Sequence, residues 1–92
     1  MSFTPDEEKI LAYLACHRCI NPHHAKRREA MDRDLGPKIR DYEAVLHSLV
    51  ARGLVGTTKK GAEGKIHHYV NTDILGYLSA RGLWSFRRNH PL

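Results

Sequence analysis

The stretch between Gly36-Pro37 and Gly53 restricts the fold more than any other part of the chain. Its apolar residues recur at helical spacing, at Ile39, Tyr42, Leu46, Leu49 and Val50. This spacing predicts one amphipathic helix, the third of the chain. Glycine suits the left-handed position after a helix and proline cannot continue one, so Gly36-Pro37 is predicted to end the helix before it and Gly53 to end the third. The polar side of the third helix carries Arg40, Asp41, Glu43, Ala44 and His47.

Two further helices are predicted before this one. Thr4, Pro5 and Glu7 have the pattern of a capping box with proline at the first helical position. The apolar stripe that follows consists of Ile10, Leu11, Leu14 and Ala15 and predicts a helix to about His17 or Arg18.

The pair Asn21-Pro22 repeats the start signal and predicts a second helix from Pro22 to about Leu35. Its inward residues would be Ala25, Met31 and Leu35, and its outward residues Lys26, Arg27, Arg28 and Arg33.

A β-hairpin and a last helix are predicted after Gly53. Leu54-Val55 begins a strand to about Lys59, residues 60–64 read as a loop, and residues 65–71 as the returning strand. Alternation places Ile66, His68 and Val70 on one face, with His67 on the other; we expect an inward His68 bonded to a backbone carbonyl. Thr72-Asp73 predicts the start of a final helix. The predicted class is therefore mostly α with a small β-hairpin (α+β): three helices, a two-stranded hairpin and a C-terminal helix.

Length and charge favour one domain with a polyanionic partner. The 92 residues predict a single domain over 1–92, with its core at about 4–80 and a basic, aromatic tail at 81–92. Lys and Arg number 15 against 10 Asp and Glu, for a net charge of +5, which favours nucleic acid or an acidic membrane surface as partner.

Other classes of protein are not favoured by the sequence. No apolar run approaches the roughly 20 residues of a membrane span, and the N-terminus lacks the pattern of a signal peptide. A cytoplasmic location with reduced cysteines is expected. No catalytic motif is present, so we expect a protein that is not an enzyme and needs no cofactor.

The order of elements and the stretch from Leu35-Gly36 to Gly53-Leu54-Val55 resemble the winged helix-turn-helix superfamily, most of all its small MarR-like and ArsR-like regulators. In that family a Leu-Gly ends the second helix, and a Gly-Leu-Val or Gly-Leu-Ile begins the wing, as the hairpin is called. The resemblance covers about residues 6–75. It implies a DNA-binding transcriptional regulator whose third helix enters the major groove of duplex DNA, with the wing on the backbone or the adjacent minor groove.

Two features depart from the family's pattern. The second helix is predicted to be about six residues longer than usual, and Asp41 and Glu43 stand where the family often has Ser or Thr. A carboxylate there repels phosphate, although it can accept a hydrogen bond from cytosine N4.

The resemblance assigns roles to a defined set of residues. The base-facing residues would be Arg40, Asp41, Glu43, Ala44 and His47, with Arg40 the best placed for guanine. Phosphate contacts would come from Lys38 and from the wing lysines Lys59, Lys60 and Lys65. The outward residues Lys26, Arg27 and Arg28 would extend this surface if the second helix turns them toward DNA.

The cysteines allow a second interpretation of one segment. Cys16, Cys19, His23 and His24 offer a Cys2His2 ligand set for zinc. The two histidines follow too closely for the usual fingers, so free thiols are the favoured interpretation and zinc the alternative.

The C-terminal segment is rich in apolar residues, namely Leu75, Tyr77, Leu78, Leu83, Trp84 and Phe86, and Arg87 and Arg88 follow them. Small winged-helix regulators often dimerise through terminal helices, so we expect a homodimer. The alternative is that Trp84 and Phe86 close the core. Two other functions stay open: a protein-interaction module in a larger assembly, which Asp41, Glu43 and the aromatic tail favour, and RNA binding through the same basic face.

Overall fold

A computed structural model describes residues 2–85, and the residues Phe86, Arg87 and Arg88 of the predicted tail lie outside this range. The helices are α1 (Pro5–Cys16), α2 (Arg28–Leu35), α3 (Tyr42–Ala51) and α4 (Leu75–Ala80). The strands are β1 (Lys26–Arg27), β2 (Val55–Lys60) and β3 (Lys65–Val70). Single 3-10 turns occupy Pro22–His24, Gly36–Lys38 and Thr72–Ile74. The α+β class is confirmed.

Helix α1 forms as its sequence signals predict. The amide of Glu7 donates to Thr4 Oγ1 at 3.2 Å, and the amide of Thr4 donates to Glu7 Oε1 at 2.8 Å, which completes the capping box. The four residues of the apolar stripe are at most 1% exposed. The helix ends at Cys16, and Arg18, two residues further on, takes the left-handed conformation at φ 60°.

The predicted second helix is too long at its N-terminal end, so the first departure from the family's pattern does not hold. The start signal acts locally, because Asn21 Oδ1 accepts from the amide of His24 at 3.0 Å, but only one 3-10 turn follows. Ala25 is extended, and Lys26 and Arg27 then pair with His68 and His67 of β3. Pairing with a distant strand therefore overrides the local helix signal, and α2 begins at Arg28.

The segment before α3 is the second correction. Gly36 is right-handed helical (φ −51°) rather than left-handed, and Gly36–Lys38 form a 3-10 turn. Ile39 is extended but still buried, at 4% exposed. Asp41 takes the left-handed conformation, φ 55°, which is tolerated by Asp more readily than by most residues. Helix α3 therefore begins at Tyr42, and the segment that precedes it is irregular.

The sheet has three antiparallel strands in the order β1-β3-β2, rather than the two predicted. The hairpin register runs from Val55 opposite Val70 to Lys60 opposite Lys65. Gly61 and Gly64 both have positive φ, 80° and 63°, as the tight turn between β2 and β3 requires. The hairpin itself is confirmed.

The core lies between the four helices and the base of the sheet, and α2 contributes Met31 and Leu35 to it. Its largest fully buried side chains include Leu11, Leu14, Leu46, Leu49 and Leu78. Glu8 links α1 to the C-terminal segment, since it accepts from Tyr77 Oη at 2.5 Å and from Arg81 Nε at 3.0 Å. Both bonds lower the pKa of the Glu8 carboxyl, and the bond from Tyr77 has the larger effect.

Candidate nucleic-acid interface

The polar side of α3 faces outward. Glu43, Ala44 and His47 are exposed and lie on one side of the helix, which we call the α3 face. Tyr42, Leu46 and Leu49 point the other way and are buried. The predicted orientation of these three polar-side residues is thus confirmed.

Arg40 and Asp41, predicted on the same helix, precede it instead. Because Ile39 anchors an extended segment in the core, Lys38, Arg40 and Asp41 lie on an exposed connector at the N-terminal end of α3. Lys38 takes part in a contact with α1, where Lys9 Nζ donates to its carbonyl at 3.4 Å. The prediction that Arg40 lies on the groove-facing side of the helix is wrong.

Arg28 joins α2 to α3 and is not free for a phosphate. Its Nε donates to Asp32 Oδ1 at 2.9 Å, and its Nη2 pairs with Glu43. Burial opposes the charge of Arg28, but the two carboxylates outweigh it and raise the pKa of the guanidinium. Glu43 of the α3 face is therefore held by Arg28 of α2. The predicted outward set Lys26, Arg27 and Arg28 is therefore not one helical face: Lys26 and Arg27 lie in β1.

The three wing lysines do not form one group. Successive side chains of a strand point to opposite faces, so Lys59 points to the side of α3, whereas Lys60 and Lys65 point away from it. We call the two sides of the hairpin its inner face, toward α3, and its outer face.

A groove of about 420 Å³ separates α3 from the inner face. Leu46, Val50 and Ile66 form the apolar part of its lining, and His47 and Lys59 contribute polar groups. Ile66 is 44% exposed and is the only large apolar side chain among residues 2–85 that is exposed. Sequence reasoning placed Ile66 on the inward face of the strand but did not predict the groove.

His68 is buried beneath this groove, only 2% exposed. Neither ring nitrogen forms a hydrogen bond of ordinary geometry with residues 2–85, although the backbone of Gly56 lies close enough to act on the ring as the predicted carbonyl partner would. Burial, with the nearby Arg28 charge, lowers the pKa of His68, although the Gly56 backbone acts in the opposite direction. His67 lies on the outer face, where Nδ1 is 2.9 Å from the carbonyl oxygen of Lys65. The alternation of the two histidines is confirmed.

The cations that lack a carboxylate partner are concentrated on the sheet and beside α3. In the part of the chain that the structure describes, eight of the ten acidic residues form ion pairs. Among residues 2–85, the lysines and arginines without such a pair are Arg18, Lys26, Arg27, Lys38, Arg40, Lys59 and Lys60. Four of these seven lie on the sheet and two on the connector before α3. The excess positive charge is therefore displayed chiefly on the sheet, because Asp41, which has no ion pair with any described residue, lies on the connector beside Lys38 and Arg40.

The cysteines are free thiols, and the zinc alternative finds no support. Cys16 is exposed, and Cys19 is buried. Cys19 Sγ donates to the carbonyl of His17 at 3.5 Å, and burial raises the pKa of its thiol. His23 and His24 form part of the 3-10 turn after α1. Across residues 2–85, no three His, Cys, Asp or Glu side chains are arranged to hold a metal ion.

The C-terminal apolar residues pack within the chain. Leu75, Tyr77, Leu83 and Trp84 are partly buried against the core. They are consequently accounted for without a second copy, and the homodimer stays a prediction.

No helix formed by residues 2–85 combines the length and apolar composition that crossing a bilayer requires. Comparison with known protein families, with curated proteins and with solved structures gave no significant match to this chain.

Proposed function

We propose that this protein is a winged helix-turn-helix regulator that binds duplex DNA with α3 and the hairpin. In this arrangement the α3 face enters the major groove, and the inner face of the hairpin lies over the neighbouring backbone. The protein would act as a transcriptional regulator in the cytoplasm and would have no enzymatic activity.

The observation that carries the proposal is the α3 face beside a lysine-bearing hairpin, neither of them covered by residues 2–85. A major groove about 12 Å wide admits an α-helix, whose diameter with side chains is about 10–12 Å. In the proposed arrangement the groove between α3 and the hairpin would face the sugar-phosphate strand that separates a major groove from the next minor groove.

The positions of the side chains suggest a division of roles. His47 and Ala44 stand on the helix and would contact base edges, His47 through a ring nitrogen and Ala44 through a thymine methyl group. Arg40, Lys38 and Lys59 stand on the connector and the hairpin and would contact phosphates, which position the protein without reading sequence. Glu43 is paired with Arg28, so its carboxylate is partly neutralised beside DNA.

The test begins with selection of a preferred duplex from a randomised library, followed by affinity measurements on that duplex and on a scrambled one. Arg40→Ala should weaken both affinities by a similar factor, because a phosphate contact carries no sequence information. His47→Ala should bring the two affinities closer together, with a loss of about 1–3 kcal/mol on the preferred duplex alone.

Arg33→Ala is the matched control, since Arg33 is an exposed arginine of α2 that is paired with Asp34. It should change neither affinity appreciably. If the wild type binds no duplex at low salt, the proposal is wrong.

A second candidate function is a protein-interaction module. Exposed Ile66 in an apolar groove is the observation that favours it, because exposed apolar surface at a groove often marks a protein contact. Recovery of a stoichiometric protein partner that Ile66→Ser abolishes, together with absence of DNA binding, would favour this function. Including structured RNA and single strands as competitors in the duplex assay tests the RNA alternative.

A further inference from the structure

We infer that the outer face of the hairpin is a second site for a nucleic-acid backbone, separate from the one that α3 would use. The inference rests on the proposed function, because it takes α3 to hold one segment of DNA and the outer face to hold another. The residues concerned are Arg27, Lys60, Lys65 and His67, which we call the outer-face cluster.

Strand pairing assembles the cluster from all three strands. Arg27 of β1 lies opposite His67 of β3, and Lys60 of β2 lies opposite Lys65 of β3. Together with the residues of the turn they line a depression of about 410 Å³. The sequence does not reveal this grouping, because Arg27 is about 40 positions away from its strand partner and was predicted to lie on a helix.

The charges of the cluster suit a polyanion. Arg27 and Lys60 have no carboxylate partner among the described residues, and Lys60 Nζ is held in place by a 2.8 Å bond to the carbonyl of His23. Lys65 has two loose carboxylate neighbours, Glu29 at 3.8 Å and Glu63 at 3.7 Å. Two unpaired cations and a third with weak partners therefore border one depression.

The shape of the cluster indicates a backbone lying across the face rather than a hairpin inserted into a groove. Three adjacent strands span two inter-strand spacings, roughly 10 Å at about 4.8 Å each. The minor groove of B-DNA is only about 6 Å wide. The tip of the hairpin fits such a groove, but a surface that reaches back to Arg27 does not. The outer-face cluster points away from α3 and Lys59, so a duplex held on the inner face would leave it free for a second segment.

The experiment measures bridging between two duplexes. One duplex carries a donor fluorophore and the other an acceptor, both have the sequence selected for the wild type, and energy transfer is followed as protein is added at low salt. The wild type should bring the two together. Arg27→Glu should abolish the transfer while its affinity for a single duplex stays within about twofold of the wild type.

Lys59→Glu is the matched control on the inner face, and it should weaken binding of a single duplex at least tenfold. Light scattering of each free protein identifies bridging caused by self-association. Transfer lost in Arg27→Glu with unchanged molar mass supports the inference, whereas loss of transfer together with a halved mass assigns the bridging to a dimer and overturns it.

The remaining outcomes separate the two proposals. If Arg27→Glu weakens single-duplex binding as strongly as Lys59→Glu, both faces hold the same duplex; the inference is then wrong and the proposed function stands. The same holds if the wild type binds a single duplex and never bridges two. If the wild type binds no duplex, both proposals fail.

Discussion

His68 is a residue through which we expect the stability of the protein to depend on pH. It is buried near the charge of Arg28, neither ring nitrogen has a hydrogen bond of ordinary geometry with residues 2–85, and its pKa is below the ordinary value of 6.5. The neutral ring is therefore the form compatible with the fold. Protonation in the unfolded chain occurs at a higher pH than in the folded chain, so this residue lowers stability as the pH falls below about 6.5.

We predict that the wild type loses more free energy of unfolding between pH 7 and pH 5 than His68→Phe does. The slope from this one group cannot exceed about 1.4 kcal/mol per pH unit. Denaturant titrations at both pH values measure it. His17, whose pKa is also lowered, chiefly by burial, contributes equally to both proteins and cancels in the comparison.

His47→Gln is the control for loss of a histidine, because His47 is exposed. It should retain the pH dependence of the wild type. If the wild type and His68→Phe lose the same free energy of unfolding between pH 7 and pH 5, the buried His68 ring does not cause the predicted pH dependence.

Single residues on and near the α3 face show which positions can be predicted from the sequence and which cannot. His47 and Ala44 were predicted on the outward side of the helix and are found there, because helical periodicity fixes which side a residue occupies. Arg40 has the same periodicity but does not lie in the helix. The left-handed conformation of Asp41 decides this, and the identity of the residue permits that conformation without requiring it.

At the scale of the elements, the sheet contains a close contact between two strands that the sequence pattern does not predict. Gly56 of β2 lies opposite Tyr69 of β3, and the tyrosine ring occupies the space where a Cβ on Gly56 would stand. Glycine is needed here for space and not for an unusual backbone conformation.

We predict that Gly56→Ala destabilises the protein by about 1–3 kcal/mol, because the ring of Tyr69 must move. In a Tyr69→Ala background the same substitution should be neutral or stabilising by up to about 1 kcal/mol, since alanine lowers the entropy of the unfolded strand. Denaturation of the four proteins gives the coupling between the two sites. Additive effects would contradict the steric explanation.

The elements that were predicted correctly are those with local determinants. A capping box and an apolar stripe define α1, and two glycines with alternating residues define the hairpin. Strand β1 has no such local signal. Lys26 and Arg27 follow a good helix start, and only their pairing with β3 makes them a strand.

At the scale of the whole molecule, the distribution of paired and unpaired charge sets the salt dependence that we expect of the proposed DNA binding. The acidic residues are mostly neutralised by ion pairs, whereas Lys38, Arg40 and Lys59, around the α3 face and its groove, have no such pair with any of residues 2–85. Each phosphate that such a cation neutralises releases counterions.

We predict a slope of about −3 when the logarithm of the association constant for one duplex is plotted against the logarithm of salt concentration, at about −0.9 per phosphate contact. Arg40→Ala should make the slope shallower by about 0.9, and Arg33→Ala should leave it unchanged. Anisotropy titrations between 50 and 200 mM salt provide the measurement. A slope near zero for the wild type would mean that these cations do not meet phosphates.

The strand order β1-β3-β2 leaves β2 at the margin of the sheet, with no strand beyond it among residues 2–85. A strand in that position exposes unpaired amide and carbonyl groups, to which the strand of another molecule can add. Lys59 and Lys60 lie on this strand, and charged side chains on an edge strand, lysine above all, disfavour the addition of another strand. The lysines that would contact phosphate in the proposed function would thus also protect the protein from edge-to-edge aggregation.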